Sequence, residues 1–386
     1  MKNKVLVLAD YYLPGFKAGG PIRSLENITQ YLGEEIDFTI LTNDRDYGDK
    51  QAYPGIDTQA LQKVGASKVR YLSKRQRRIF SMLKIIRSCN ANVIYLNSVF
   101  SFFYTIQVLL LRRIGCLKGV KIIIAPRGEF SEGALNIKKA KKKIFLLMSK
   151  IFGFYKEALW QASSYHEQQD IRRVINRNAI VAVVPNIPNI DKSQPMMPQD
   201  KNPGALNIVF LSRISRKKNL LFAIESLKNL RGQVNFHVYG PLEDQEYWRR
   251  CLSAAENLPA NIHFSYKGVV TPPSIQETLS QYDLFYLPTF GENFGHVVFE
   301  AISSGCPILI SDTTPWRDLE KLGIGWDVDL QEGDRFHAIL QDLIDMPKET
   351  HQQYVKNAIN YALQYANDPH ILRANRVLFQ GECVNA

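Results

Sequence analysis

The sequence predicts an α/β chain built from two Rossmann-like units, and three observations carry that expectation. Short apolar runs that break into a loop and then a helical pattern recur along the chain, as in VLVLAD (5–10), NIVFLSRISRKKNLLFAIESL (207–227) and DLFYLP (283–288). Such runs suit buried strands feeding helices. A chain of 386 residues is too long for one compact core. Between the two series lies DKSQPMMPQDKNPGA (191–205), rich in proline and polar residues, which reads as a linker. The expected division is therefore 1–190, a linker at 191–205, and 206–366.

Composition narrows the class. Hydrophobic residues make up 45% and charged residues 22%, ordinary values for a soluble globular protein. No apolar run approaches the ~20 residues that a membrane-spanning helix needs. MKNKVLVLADYYLPG has an apolar run of VLVLA followed by aspartate, so it reads as a first strand and not as a signal peptide. The five cysteines (89, 116, 251, 306 and 383) are scattered with no C-x-x-C, as expected of reduced thiols in the cytoplasm. Charge is uneven. Residues 1–190 hold 30 Lys+Arg against 14 Asp+Glu, a balance of +16, while the remainder holds 18 against 23. An anionic partner for the first half is the natural inference.

Taken in order, VLVLAD is a buried strand, and YYLPGFKAGGPIRSLENITQYLGE is a loop entering a helix. Gly19, Gly20 and Pro21 sit at that junction, with Pro21 in the first helical turn. A glycine pair lets backbone approach a phosphate, although a plain tight turn reads equally well from these residues alone. DFTILTN (37–43), KVRYL (68–72), VIYLNS (93–98) and KIIIAP (121–126) follow as strands. Residues 68–87 carry eight basic side chains and no acidic one, and RQRRIFSMLKIIRSC reads as an amphipathic helix with Ile79, Met82, Leu83 and Ile86 on one face. Residues 138–156 add seven basic and no acidic residues among bulky apolar ones. Basic helices of this kind suit an anionic membrane surface; the alternative is an apolar face packed in the core beneath solvated lysines. No nucleic-acid reader motif is present, so no nucleic-acid partner is expected. In PRGEFSEGAL (126–135), Arg127 stands at a strand end where it can meet an anion, or else pair with Glu129. Glu129 and Glu132 are equal candidates for orienting an acceptor.

The second half opens with strand, basic loop and helix. Arg213 and Lys218 stand five apart around the loop that feeds the helix, where a diphosphate meets two charges and a helix N-terminus. NFHVYG (235–240) and NIHFSYKGVVTPPSI (261–275) supply further strands. TFGENFGHVVFEAISSGCPILISDT (289–313) is the richest stretch: a turn with Gly291 and Gly295, a helix, and the strand PILIS. Unpaired N–H groups around Asn293, Phe294 and Gly295 suit a phosphate oxygen. Glu292 and Glu300 are acceptors, better used on hydroxyls than beside an anion, and phosphate plus hydroxyls points to a sugar nucleotide. His237, His263 and His296 lack ligand-like spacing, so no metal site is expected. The absence of G-x-G-x-x-G argues against a dinucleotide oxidoreductase.

The segment E-NFGHVVF-E, with its apolar strand before and SGCPILISD after, resembles the Glu-x7-Glu motif of retaining glycosyltransferases of family 4, which have the GT-B architecture. PGFKAGGPIRS (14–24) and TTPWRDL (313–319) resemble the branch common in bacterial surface-polysaccharide synthesis: O-antigen, capsule or exopolysaccharide. The resemblance covers most of the chain and is most specific over 208–320. It implies two Rossmann-like domains facing a cleft, with a last helix (about 367–386) crossing back to the first. It implies a nucleotide-sugar donor, UDP-linked in preference to GDP-mannose, and a lipid-linked saccharide acceptor. The protein would then be cytoplasmic and peripheral, at the inner face of the membrane. Arg213 and Lys218 would stabilise the leaving diphosphate, Glu292 would hold sugar hydroxyls and Glu300 the ribose. Gly268 and Val269 would back the nucleobase, and Gly19 and Gly20 would face the donor phosphates and the acceptor. No cofactor or metal is implied, and retention would proceed by front-face substitution. The chain departs from the pattern where many members carry a histidine near the transferred sugar: Arg127 stands there. A GT-B sugar-nucleotide epimerase and a non-catalytic basic adaptor for membrane or nucleic acid are the rival readings.

Overall fold

The computed structural model describes residues 2–136, 139–188 and 201–380. Two compact units result, Met1–Ile187 with Pro369–Ala386, and Pro188–Asp368. Most of the expected linker lies outside the described residues. Its last residues are already part of the second unit: Lys201 is buried, and its Nζ donates to the Ile344 carbonyl at 3.0 Å.

In the first unit the chain runs β1 (Asn3–Leu8), α1 (Gly20–Leu32), β2 (Ile36–Asn43), β3 (Gln62–Val64), β4 (Ser67–Leu72), α2 (Ile79–Ser88) and β5 (Val93–Leu96). It continues through α3 (Gln107–Arg113), β6 (Lys121–Ile124), α4 (Glu132–Asn136), α5 (Lys139–Ile151), β7 (Leu159–Ala162), α6 (Tyr165–Val174) and β8 (Val181–Val183). The strands form one sheet in the order β3-β4-β2-β1-β5-β6-β7-β8, parallel except where β3 meets β4. Val5, Leu6, Val7 and Leu8 are all buried, because β1 is central and covered on both faces. The strand order reverses between β1 and β5, the place where a crevice opens beyond the carboxyl ends of parallel strands. β3 and β7 were not expected from the sequence. QKV is only three residues, and LWQA lacks the continuous apolar run that marks β5 and β6.

One expectation is corrected here. Met82, Ile85 and Ile86 of α2 are buried in the core beneath the sheet, and Ile79 and Leu83 pack against them. Burying each such side chain is worth about 1.5–3 kcal/mol. The apolar face of α2 is therefore occupied by the protein itself and is not offered to a membrane. Residues 75–78 also precede the helix, where Gln76 accepts from the Ser73 N–H at 2.9 Å.

The second unit runs β9 (Ala205–Leu211), α7 (Leu220–Ser226), β10 (Gln233–Tyr239), α8 (Gln245–Ala255), β11 (Ile262–Gly268), α9 (Ile275–Leu279) and β12 (Leu284–Leu287). It ends with α10 (His296–Ser303), β13 (Ile308–Ser311), α11 (Leu319–Leu322), β14 (Gly325–Val328), α12 (Gly333–Asp345) and α13 (Lys348–Ala366). Its sheet, β11-β10-β9-β12-β13-β14, is parallel throughout. All the loops that leave its strands therefore emerge at one edge, and the order reverses between β9 and β12. The last helix, α14 (Pro369–Gln380), returns to the first unit. Asn3 Nδ2 donates to the Phe379 carbonyl at 2.9 Å, Arg376 pairs with Glu35 at 2.6 Å, and Phe379 packs edge-on against Phe38.

Candidate active site

In the second unit the loops after β9 and β12 leave adjacent strands at the point of reversal, and they are stitched together. The Phe290 N–H donates to the Lys217 carbonyl at 2.9 Å, and Thr289 Oγ1 donates to the same oxygen at 3.1 Å. The Thr289 carbonyl in turn accepts from Ser311 Oγ and, at 2.8 Å, from Thr313 Oγ1. That lacing brings Lys218 Nζ onto Glu292 Oε1, with both side chains only 11–12% exposed. Removing either partner leaves the other charge largely desolvated and uncompensated, so the two hold one another in place. Lys218 ends a short 3-10 turn, and Asn219 beyond it adopts a left-handed conformation to start α7.

Arg213 stands on the same loop with a carboxylate of its own. Its guanidinium pairs with Glu243 at 3.2 Å, on the turn that follows β10. That turn is held by the Ile214 N–H donating to the Pro241 carbonyl at 2.9 Å. Gly240 makes this approach possible, since a Cβ there would stand 1.8 Å from the Ser212 carbonyl oxygen. Arg213 and Lys218 thus flank one loop while each has its own carboxylate. Arg216 is exposed and pairs with Asp244 and Glu246, whereas Lys217 is half-buried.

Asn293, Phe294 and Gly295 form the turn into α10. Gly295 occupies the left-handed region at φ 76°, and its carbonyl accepts from the Val298 N–H at 2.9 Å. Phe294 is buried, and its carbonyl accepts from Trp316 Nε1. Glu300 lies half-buried in the second turn of α10, where its carbonyl accepts from the hydroxyls of Ser303 and Ser304. Gly268 ends the edge strand β11 at φ 84°, with its carbonyl accepting from the Gly240 N–H at 2.8 Å, and Val269 beyond it is exposed. Lys218, Glu292, the 293–295 turn, Gly268 and Val269 all belong to the carboxyl edge of the second sheet.

Gly19, Gly20 and Arg127 belong to the first unit. Gly19 caps α1 at φ 72° and Pro21 stands in its first turn. Arg127 is left-handed at φ 54°, a conformation costing about 1–2 kcal/mol for a residue with a Cβ. Three acceptors hold it there: Asn97 Oδ1 at 2.8 Å, Asn186 Oδ1 at 2.6 Å and the Tyr95 hydroxyl at 2.7 Å. All three are neutral, so the guanidinium keeps its net charge, as an anion-binding group requires. Burial pushes the Tyr95 phenol up to about 12, against the pull of the Arg127 charge. It therefore stays protonated, accepting from Arg127 and donating to Gln161 Oε1. Asn97 also reaches the Pro21 carbonyl at 3.4 Å, tying the Arg127 fork to the glycine turn.

The alternative pairing of Arg127 with Glu129 is not made. Glu129 instead accepts from Ser98 Oγ at 2.9 Å and from the Val99 N–H, and burial raises its pKa. The Glu132 side chain lies outside the described residues. Among the described residues no group of three or more His, Cys, Asp or Glu converges as a metal site would require. Sequence reasoning missed Glu243, Asn97, Asn186 and Trp316. Asparagine close behind a strand, directly after β5 at NS (97–98) and three residues past β8 at PN (185–186), was the available signal for two of them.

Residues 194–361 match the family model described as Glycosyl transferases group 1. The match falls within the second unit and contains Lys218, Glu292 and Glu300. The chain carries a group 1 glycosyltransferase domain and is a transferase. No curated protein sequence matches it. Among solved structures it is similar to sucrose-phosphate synthase from Thermosynechococcus elongatus, at 15% identity and a TM-score of 0.72, with 98% of this chain and 99% of that one covered. Anabaena HepE, solved in complex with UDP and glucose, is similar at 16% identity and a TM-score of 0.67, over 98% and 99% of the two chains. WaaG, a glycosyltransferase involved in lipopolysaccharide biosynthesis, is similar at 14% identity and a TM-score of 0.63, over 97% and 98%. At these identities the likeness is one of fold. The transferase has the GT-B fold.

Proposed function

We propose that this transferase is a retaining family 4 enzyme that moves a sugar from a UDP-sugar to a lipid-linked saccharide in bacterial surface-polysaccharide synthesis. The observation that carries the reading is the Lys218–Glu292 pair, held at the strand-order reversal beside the turn into α10 and inside the group 1 domain. In this reading Lys218 and Arg213 counter the charge that grows on the leaving diphosphate, and the N–H groups of the 293–295 turn take phosphate oxygens. Glu292 accepts from sugar hydroxyls and, by its bond to Lys218, keeps the ammonium aimed. Glu300 accepts from the ribose, and Gly268 and Val269 back the nucleobase. Arg127, Gly19 and Gly20 serve the acceptor side and the donor phosphates. As the bond from the anomeric carbon to the diphosphate oxygen breaks, the acceptor oxygen bonds to that carbon on the same face and the departing diphosphate takes the acceptor proton. No metal or cofactor has a role. The UDP and glucose bound to HepE support the choice of nucleotide.

The membrane part of the reading rests on α5. Ile144, Leu147, Met148 and Ile151 repeat at helical spacing and are 41–66% exposed, while Phe145 and Leu146 pack inward. Lys139, Lys141, Lys143 and Lys150 are exposed around that stripe. An outward apolar stripe framed by lysines suits an anionic bilayer surface. No helix among the described residues is long and apolar enough to cross a membrane.

The test is thermal shift of the full chain with UDP, GDP, their sugar conjugates and NAD. A ligand bound only by the folded form adds about 2.7 kcal/mol at a hundredfold excess over its Kd. UDP and UDP-sugars should raise the melting temperature, and Lys218→Ala, shown folded by its own transition, should lose the shift. A response to NAD alone would sink the reading.

A further inference from the structure

We infer that Trp316 is a positioning residue that aims the phosphate-facing turn of the donor site, an inference that rests on the reading of that turn given above. Trp316 does not stand at the sugar or the diphosphate; it lies behind the turn, 4% exposed. Its indole is wedged among four rings, with centroids at 5.2 Å to Phe294, 5.4 Å to Tyr365, 5.9 Å to Phe299 and 6.4 Å to Tyr361. These come from α10, the turn before it, and α13. The backbone of Trp316 is fixed as well, since its N–H donates to Thr314 Oγ1 at 3.2 Å. A ring so confined can hold its one polar atom, Nε1–H, in a set direction.

That atom donates to the Phe294 carbonyl. The peptide joining Phe294 to Gly295 is planar and trans, so fixing its C=O on the indole side turns the Gly295 N–H to the opposite side. No described group accepts from that N–H. Gly295 is the residue most able to swing, because glycine has no Cβ to restrict φ and ψ. The indole therefore supplies the constraint that the glycine lacks. Packing alone would not do so: a phenyl ring in the same cluster fills space but donates nothing.

The consequence is selective. Loss of the indole N–H should weaken the hold on phosphate oxygens without touching the nucleoside, whose base meets Gly268 and Val269 and whose ribose meets Glu300, a turn further along α10. The experiment compares wild type with Trp316→Phe, measuring Kd by calorimetry for UDP, GDP, uridine and guanosine. For the diphosphate that binds, Kd should rise about fivefold to tenfold, the loss expected for one aligned hydrogen bond. The matching nucleoside should bind as in wild type. Tyr365→Leu, which removes one wall of the cluster that directs the indole, should lower the diphosphate-to-nucleoside affinity ratio in the same direction and by less. In the wild-type chain, the bound diphosphate but not the nucleoside should slow amide exchange across residues 293–297, a readout that does not depend on either variant folding. An unchanged diphosphate affinity in Trp316→Phe, an equal loss for diphosphate and nucleoside, or no selective protection in wild type would each overturn the inference. A wild-type chain that binds none of the four ligands would overturn the donor reading itself and the inference with it.

Discussion

Asp283 and Lys201 show how this transferase places charge where water cannot reach. Asp283 is 4% exposed, and its Oδ2 accepts from the Asn207 N–H at 2.7 Å and from Asn207 Nδ2 at 3.0 Å. His351 Nε2 donates to the Asp283 carbonyl at 2.8 Å. Burial raises the Asp283 pKa above its ordinary 3.8, outweighing those donors. The folded state therefore holds this proton more tightly than the unfolded chain does, and the group favours folding most at pH below the ordinary value. Stability falls as pH climbs through the raised pKa. Asp283→Asn keeps an acceptor for Asn207 but cannot ionise, so its melting temperature should vary less with pH from about 4 upward than that of wild type. Parallel pH profiles for the two proteins would mean that Asp283 does not titrate there. Burial likewise lowers the pKa of Lys201, whose ammonium is held by the carbonyls of Asn202, Ile344 and Met346.

At the scale of elements, α2 and α5 have similar composition and opposite fates. Both are basic and amphipathic, yet α2 turns Met82, Ile85 and Ile86 into the core while α5 leaves four large apolar side chains outside. The difference lies in what each helix finds beneath it, which periodicity cannot report. The proposal for α5 predicts that Ile144→Ser/Leu147→Ser/Ile151→Ser lowers co-sedimentation with anionic vesicles. Those side chains are already exposed, so the melting temperature should change little. Substituting Lys141 and Lys143 by Glu should act in the same direction and leave the remaining binding less sensitive to salt than that of wild type. Unchanged vesicle binding in both variants would leave α5 without a membrane role.

At the scale of the whole molecule, α14 links the end of the chain to the first sheet. Ile371, Leu378 and Phe379 are buried in that unit, and the Phe379 ring lies 5.4 Å from Tyr95, whose hydroxyl holds Arg127. A chain ending at Asp368 should therefore lose amide protection in β1, β2 and β5 while β9 to β14 keep theirs. Uncovering that much apolar surface should cost about 3 kcal/mol or more, as loss of one or two buried large side chains does. Uniform loss across both sheets would show that the two units do not unfold separately.

By itself the sequence determined the local order of events: which apolar runs become strands, where the basic loop and the Glu-x7-Glu stretch fall, and that the chain holds two α/β units. Those features are short-range, set by period, glycine, proline and the rise of a strand into a helix. The same local information placed Lys218, Glu292 and Gly295 on loops that leave β9 and β12. It could not say that Lys218 meets Glu292 while Arg213 turns to Glu243, because partners far apart in sequence are chosen by strand order. The grip of Asn97, Asn186 and Tyr95 on Arg127 was equally hidden, as each residue comes from the end of a different strand or from the strand itself. So was the indole behind the Gly295 turn. Side chains from α10, α13 and the loop before α11 come together only when the parallel sheet has stacked its helices, and packing of that kind carries no period that a linear chain displays.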